Sequence, residues 1–194
     1  MNEKPTKTIA LVAIMGALGN LLAFFTIAPT ISSQIGLDFS NLPVLIVGLA
    51  AGPVAASATG FIAGITPSIF FGFVGGSLGF LGFSTSIGKA LFGLFAGFLF
   101  RSLRPTQRKY GTLLAIPISV LSFIPEAIWI YVVFSALVFI FLPSDVASFL
   151  TTLAVPIILK GFVETTVMGF FMSALSGHVG FKSFMERYFS VKFA

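Results

Sequence analysis

The sequence predicts an all-α integral membrane protein: a six-helix transmembrane bundle with a short second helix and both termini in the cytoplasm. Of 194 residues, 57% are apolar and only 9% are charged, whereas a soluble domain carries about a quarter charged residues. Apolar stretches near the length of about 20 residues that crosses hydrocarbon recur along the whole chain. Its basic residues gather in three clusters, and their spacing fixes how often the chain turns back. The length suits a single transmembrane domain spanning residues 1–194.

The first element is Thr8 to Ile27, preceded by a cytoplasmic segment, residues 1–7, that carries Lys4 and Lys7. That start resembles a signal peptide, but the run is long for an h-region and apolar segments follow throughout, so a retained first helix is expected. The next apolar stretch, Asn41 to Gly72, is divided by Gly52-Pro53, a dipeptide that reads as a turn because proline lacks an N–H and disfavours helix in the residue before it. Elements four, five and six are Phe80 to Phe100, Thr112 to Leu142 and Phe149 to Ser176, and residues 177–194 form a cytoplasmic tail.

Cytoplasmic loops near helix ends collect Lys and Arg, and this decides whether Asn41 to Gly72 crosses once or doubles back. Lys89 and Lys160 lie inside apolar segments; the other nine basic residues lie at the N-terminus, between Arg101 and Lys109, and in the tail. A hairpin at Gly52-Pro53 puts all nine on one side. The outward connections are then Pro29 to Ser40, Phe73 to Gly79 and Pro143 to Ser148, whose charges are Asp38 and Asp145. Element two, Leu42 to Ala51, spans only about 15 Å as a helix. A short element of this kind is tolerated where it is buried in protein or lines a polar cavity, which points to a site near the outer face.

Lys89, Glu126, Lys160 and Glu164 fall within the spans, where a central charge costs roughly 2.5 to 3.5 kcal/mol on insertion scales. Each needs a partner. Lys160 and Glu164 are spaced to face each other on one helix, and Glu126 is placed to answer Lys89. Such groups either fix helix register as buried pairs or line a solute cavity. Trp129 lies one turn from Glu126, so either an aromatic surface and a carboxylate share a face suited to a flat heterocycle, or the lone Trp is lipid-facing packing. Gln34, Asp38, Ser40 and Asn41 offer donors and acceptors at the cavity mouth, although Ser40 or Asn41 could equally cap a helix. Small residues at four-residue spacing, Ala13 and Ala17 with Gly16, then Ala56, Gly60 and Gly64, then Gly93 and Gly97, make faces for close helix approach.

Three segments together resemble the substrate-binding S components of energy-coupling factor (ECF) vitamin transporters, riboflavin-type members most closely. Thr8 to Leu22 reads TIALVAIMGALGNLL, similar to the family's opening helix, whose Ala-x-x-x-Ala face meets a transmembrane scaffold subunit; Ala13 and Ala17 occupy it. Gly36 to Gly64 reads GLDFSNLPVLIVGLAAGPVAASATGFIAG, and its LDFSNLP…G…GP pattern is the most specific signal. Within Val155 to Thr166, VPIILKGFVET matches the riboflavin-type sixth helix at Pro156 and Lys160, with Ile158 where that helix carries Asn. The resemblance implies a plasma-membrane protein that binds a small water-soluble vitamin under the first outer loop and works with a scaffold and two ATPase subunits. In that setting Lys160, Glu164, Lys89, Glu126, Trp129, Asn41, Asp38 and Gln34 are the candidate vitamin-binding residues.

Other functions are constrained by absences in the sequence. With no cysteine, disulfides, thiolate metal sites and Cys nucleophiles are excluded. The +5 net charge is accounted for by the flanking clusters, so the partner expected is the bilayer and not nucleic acid. No cofactor or metal is expected, and without a Walker sequence any ATP hydrolysis falls to partners. Gly75-Gly76-Ser77 and Gly177-His178 loosely resemble a rhomboid protease pair, but the topology puts about 30 Å of hydrocarbon between them, too far for a shared hydrogen bond. A stand-alone secondary transporter or channel for a small solute is the stronger competing expectation.

Overall fold

The structure is a computed structural model that describes residues 3–30, 37–74, 78–108, 110–189 and 191. Every regular element among them is helical. Five helices are long and apolar enough to cross a membrane. We number the elements α1 (Glu3–Thr30), α2 (Asn41–Ala51), α3 (Pro53–Val74), α4 (Gly79–Gln107), α5 (Ala115–Phe141), α6 (Ser144–Gly177) and α7 (Val179–Phe189). The short apolar helix is α2, as expected.

The reversal expected at Gly52-Pro53 is present. Gly52 adopts φ 84° between Ala51 and Pro53, a left-handed value open to glycine because it lacks a Cβ. Along α4, Asn41 of α2 lies level with Lys89, Gly48 with Gly97 and Gly52 with Arg101. Along the same helix, Pro53 of α3 meets Gly97, Ala56 meets Gly93, Gly60 meets Lys89 and Gly64 meets Ser86. Hence α2 runs parallel to α4 while α3 runs antiparallel to it.

The α3–α4 seam is made of small residues because the backbones nearly touch. A Cβ on Gly60 would sit 2.1 Å from the Lys89 carbonyl oxygen, and one on Gly93 would sit 2.3 Å from that of Ala56. On α1, Gly16 and Gly19 form the inward face against Ile62 and Ala63 of α3, and Asn20 locks the pair by donating to the Ile62 carbonyl at 2.6 Å and accepting from the Thr66 N–H at 2.8 Å. Ala13 and Ala17 are exposed on the opposite side. The small residues of α3 and α4 are therefore internal packing, whereas the Ala13/Ala17 face is unpartnered within the chain.

Prolines explain the interruptions. Pro67 has no N–H for the Ala63 carbonyl, and α3 breaks at Gly64; Pro125 has none for Leu121, and α5 breaks at Phe123. Both helices also contain a wide π-helical turn, Phe70–Val74 in α3 and Val133–Leu137 in α5.

Most boundaries shift by a few residues, and the larger differences from expectation are at the first helix, the sixth and the tail. The first helix runs past both ends of Thr8 to Ile27, from Glu3 to Thr30; Pro5 is tolerated there because it falls in the first turn, where backbone N–H groups have no helical partner. The sixth begins at Ser144, not Phe149, because Pro143 supplies a start signal and the polar Ser144-Asp145 pair suits a first turn. The tail is not featureless: α7 is an amphipathic helix that packs against α1, α2 and α6. Helix directions bring Lys7, Arg101, Arg104, Arg108, Lys182 and Arg187 to the same end of the bundle as Gly52.

Candidate functional site

The start of α2 is the key to the site. Ending the helix at Asn41, level with Lys89, leaves residues 37–40 to descend into the bundle and bring polar groups to a buried lysine. Lys89 is 3% exposed. Its ammonium pairs with Asp38 Oδ2 at 3.0 Å, donates to the Ser40 hydroxyl and reaches Asn41 Oδ1 at 3.3 Å. The Asn41 amide donates onward to Glu126 Oε2 at 3.1 Å. On the other side, the Asp38 N–H donates to Glu164 Oε1, and that oxygen also pairs with Lys160 at 3.3 Å. The result is one chain, Lys160–Glu164–Asp38–Lys89–Asn41–Glu126, tying α2, α4, α5 and α6 together.

Two expectations are corrected by this geometry. Glu126 does not answer Lys89 directly: Asp38 is the ion-pair partner, and Asn41 stands between lysine and glutamate. Neither is Ser40 a helix cap. No side chain caps α2; the Ser40 N–H instead donates to Asp38 Oδ1 at 2.8 Å while its hydroxyl accepts from Lys89.

Burial alone would raise the Asp38 carboxyl, but the Lys89 ammonium and the Ser40 hydrogen bonds outweigh it and hold Asp38 below its ordinary value of 3.8. The stability from this depressed group is present above the unfolded value and lost as pH falls through the folded one. Asp38 is thus an anion at neutral pH.

Next to the chain of charges lies a cavity of about 350 Å³, within the range of small-molecule pockets. Seven of the eight candidate binding residues line it: Asp38, Asn41, Lys89, Glu126, Trp129, Lys160 and Glu164. The eighth, Gln34, lies outside the described residues, as does Ser77. Trp129 donates its indole N–H to the Ser84 carbonyl at 2.9 Å, which fixes the ring and leaves its face for packing. Gly88 sits beneath, where a Cβ would meet Trp129 at 3.3 Å and Glu126 at 3.4 Å.

The remaining walls are mostly apolar, with Ser84, Thr85 and Thr165 among them, and were not singled out from the sequence. Phe71, Phe123, Ile130, Val133 and Leu153 contribute to them, and Phe123 packs edge-on against Phe162. Gly161 makes room for that ring, since a Cβ there would lie 2.1 Å from Phe123 Cζ. Both π-helical turns reach the cavity, through Phe71 and through Val133 and Phe134, a feature often found at functional sites.

With every group ionised, three carboxylates (Asp38, Glu126, Glu164) face two ammoniums (Lys89, Lys160), an excess of one negative charge. Lys160 is the most open of these groups, with a side chain 32% exposed, and Glu164 Oε1 is its one ion-pair partner among the described residues. It therefore has donors to spare. The arrangement can hold a flat polar molecule against Trp129 with Lys160 donating from one edge and Glu126 accepting at another.

Comparison of the chain with protein-family models, curated proteins and solved structures finds no match.

Proposed function

We propose that the protein captures a small water-soluble vitamin, riboflavin-like in shape, as the substrate-binding S component of an ECF-type importer. The observation that carries this reading is the convergence of Asp38, Asn41, Lys89, Glu126, Trp129, Lys160 and Glu164 on one cavity whose other walls are mostly apolar. Intramembrane ionisable groups that line a cavity mark solute sites, and a mostly apolar pocket with a few convergent polar groups is how small molecules are held. A scaffold subunit has a place to dock on the exposed Ala13/Ala17 face of α1, and ATP hydrolysis belongs to two partner ATPases. In the plasma membrane the basic end of the bundle, with both termini, faces the cytoplasm.

Docking is tested by Ala17→Trp. In cells supplying the scaffold and ATPases, this variant is expected to abolish ATP-dependent vitamin uptake while the purified protein still binds the vitamin. Loss of binding, or unimpaired uptake, contradicts the assignment of that face. Uptake by the purified chain alone in proteoliposomes would instead identify a stand-alone carrier.

Sidedness is tested on a chain free of native cysteine. A cysteine replacing Asp145 is expected to react with an impermeant thiol reagent in intact cells, and one replacing Arg104 to be protected until the membrane is opened. Labelling of both from outside contradicts the orientation.

A further inference from the structure

A second pocket lies at the opposite, basic end of the bundle, where the α2–α3 turn meets the end of α4. Its volume is about 230 Å³, and its polar side chains are Arg101, Arg104, Thr106 and Gln107. All four can donate hydrogen bonds, and no carboxylate among the described residues lines it. Among the described residues neither guanidinium has an ion-pair partner.

Both arginines are placed by unusual backbone. Arg101 lies flat over Gly52, where a Cβ would come 2.7 Å from Nη2; the residue whose φ of 84° makes the hairpin turn also leaves room for the guanidinium. Within α4, Arg104 follows Leu103, where the α-helical part ends before the short 3-10 turn Pro105–Gln107, and it adopts φ 45°, ψ 56°, the one non-glycine residue with positive φ among those described. Glycine ordinarily takes this cap position. An arginine serving only as a charge at a helix end could occupy a neighbouring position with negative φ. An outlier of this kind is grounds for seeking a function, and here it sets a second guanidinium beside the same pocket.

We propose that this pocket binds a phosphate group, from an anionic lipid headgroup or from a soluble phosphate. A planar guanidinium matches phosphate oxygens two at a time, and the Thr106 hydroxyl and Gln107 amide add neutral donors. Basic pockets at the ends of membrane helices are where such headgroups are taken. The main cavity lies at the other end of the same helices, so the two sites are separable.

The test uses the full chain purified in detergent, with native mass spectrometry reading bound dioleoyl-phosphatidylglycerol against dioleoyl-phosphatidylcholine, and inorganic phosphate as the soluble probe. The wild type is expected to retain one phosphatidylglycerol in preference to phosphatidylcholine, and Arg101→Gln with Arg104→Gln to lower that retention about tenfold, as loss of charge-assisted bonds requires. Arg104→Gly keeps the fold falsifiable separately: glycine suits the backbone, so melting should not fall, yet retention should. Displacement of the lipid by inorganic phosphate, or phosphate binding in its place, assigns the soluble source; retention despite phosphate assigns the lipid. Equal retention of the two lipids with no phosphate binding, or unchanged retention in the double variant, overturns the proposal.

Discussion

Lys89→Met is expected to be among the most destabilising single substitutions in the chain. It would strand Asp38, leave Asn41 Oδ1 without its donor and remove the centre of the charge chain. Breaking a buried pair from one side costs about 3 to 5 kcal/mol, because the surviving charge stays buried without compensation. Asp38→Asn added to Lys89→Met should recover much of that loss, since one charge of each sign is then removed and the cluster keeps the excess of one negative charge it has in the wild type. Lys89→Arg should not substitute, because a planar fork does not fit three acceptors gathered around a point charge. Thermal melting of the purified variants in detergent checks all three. A Lys89→Met protein as stable as wild type would show that the charge chain contributes little to the fold.

Lys160 is expected to behave differently, since it is the most open member of the chain. Lys160→Met should destabilise by less than loss of Lys89, because Lys160 is itself 32% exposed and the buried Glu164 carboxylate keeps its hydrogen bond from the Asp38 N–H. Pairing it with Glu164→Gln removes the second charge yet keeps an oxygen for the Asp38 N–H, so the double variant should fold and melt like wild type. Its solute affinity should nonetheless drop. A lost hydrogen bond from a charged donor is worth about 1.5 to 3 kcal/mol, roughly 10- to 150-fold in Kd. Equilibrium binding on the double variant decides the matter: unchanged affinity in a stable protein would make Lys160 a structural partner of Glu164 and nothing more.

The charged residues were legible because hydrocarbon makes them conspicuous. Lys89, Glu126, Lys160 and Glu164 are the charges inside apolar segments, and the cost of placing them there is itself the signal. The hairpin was legible for a similar reason, from Gly52-Pro53 and the basic clusters together. The pairing was not. Whether Lys89 meets Asp38 or Glu126 depends on how deep residues 37–40 descend, and an apolar sequence with small residues on several faces does not fix that depth. Division of labour along α1 was hidden as well: Gly16, Ala13 and Ala17 read as one small-residue face, but the structure turns Gly16 and Gly19 inward and the two alanines outward. The π-helical turns at Phe70–Val74 and Val133–Leu137 leave no mark in periodicity over so few residues. The start of α6 at Ser144 was available in Pro143-Ser144-Asp145 but was outweighed by hydropathy, which rises only later.

Trp129 is the one tryptophan in the chain and lines the cavity, so its fluorescence reports on that site alone. Titration of the purified protein with riboflavin, and then with other water-soluble vitamins, tests the central claim most directly. A saturable change in Trp129 emission is expected for one of them, with affinity reduced in the Lys160→Met, Glu164→Gln variant. Emission that responds to none of the vitamins in a saturable way, or that responds identically in that variant, would contradict the account.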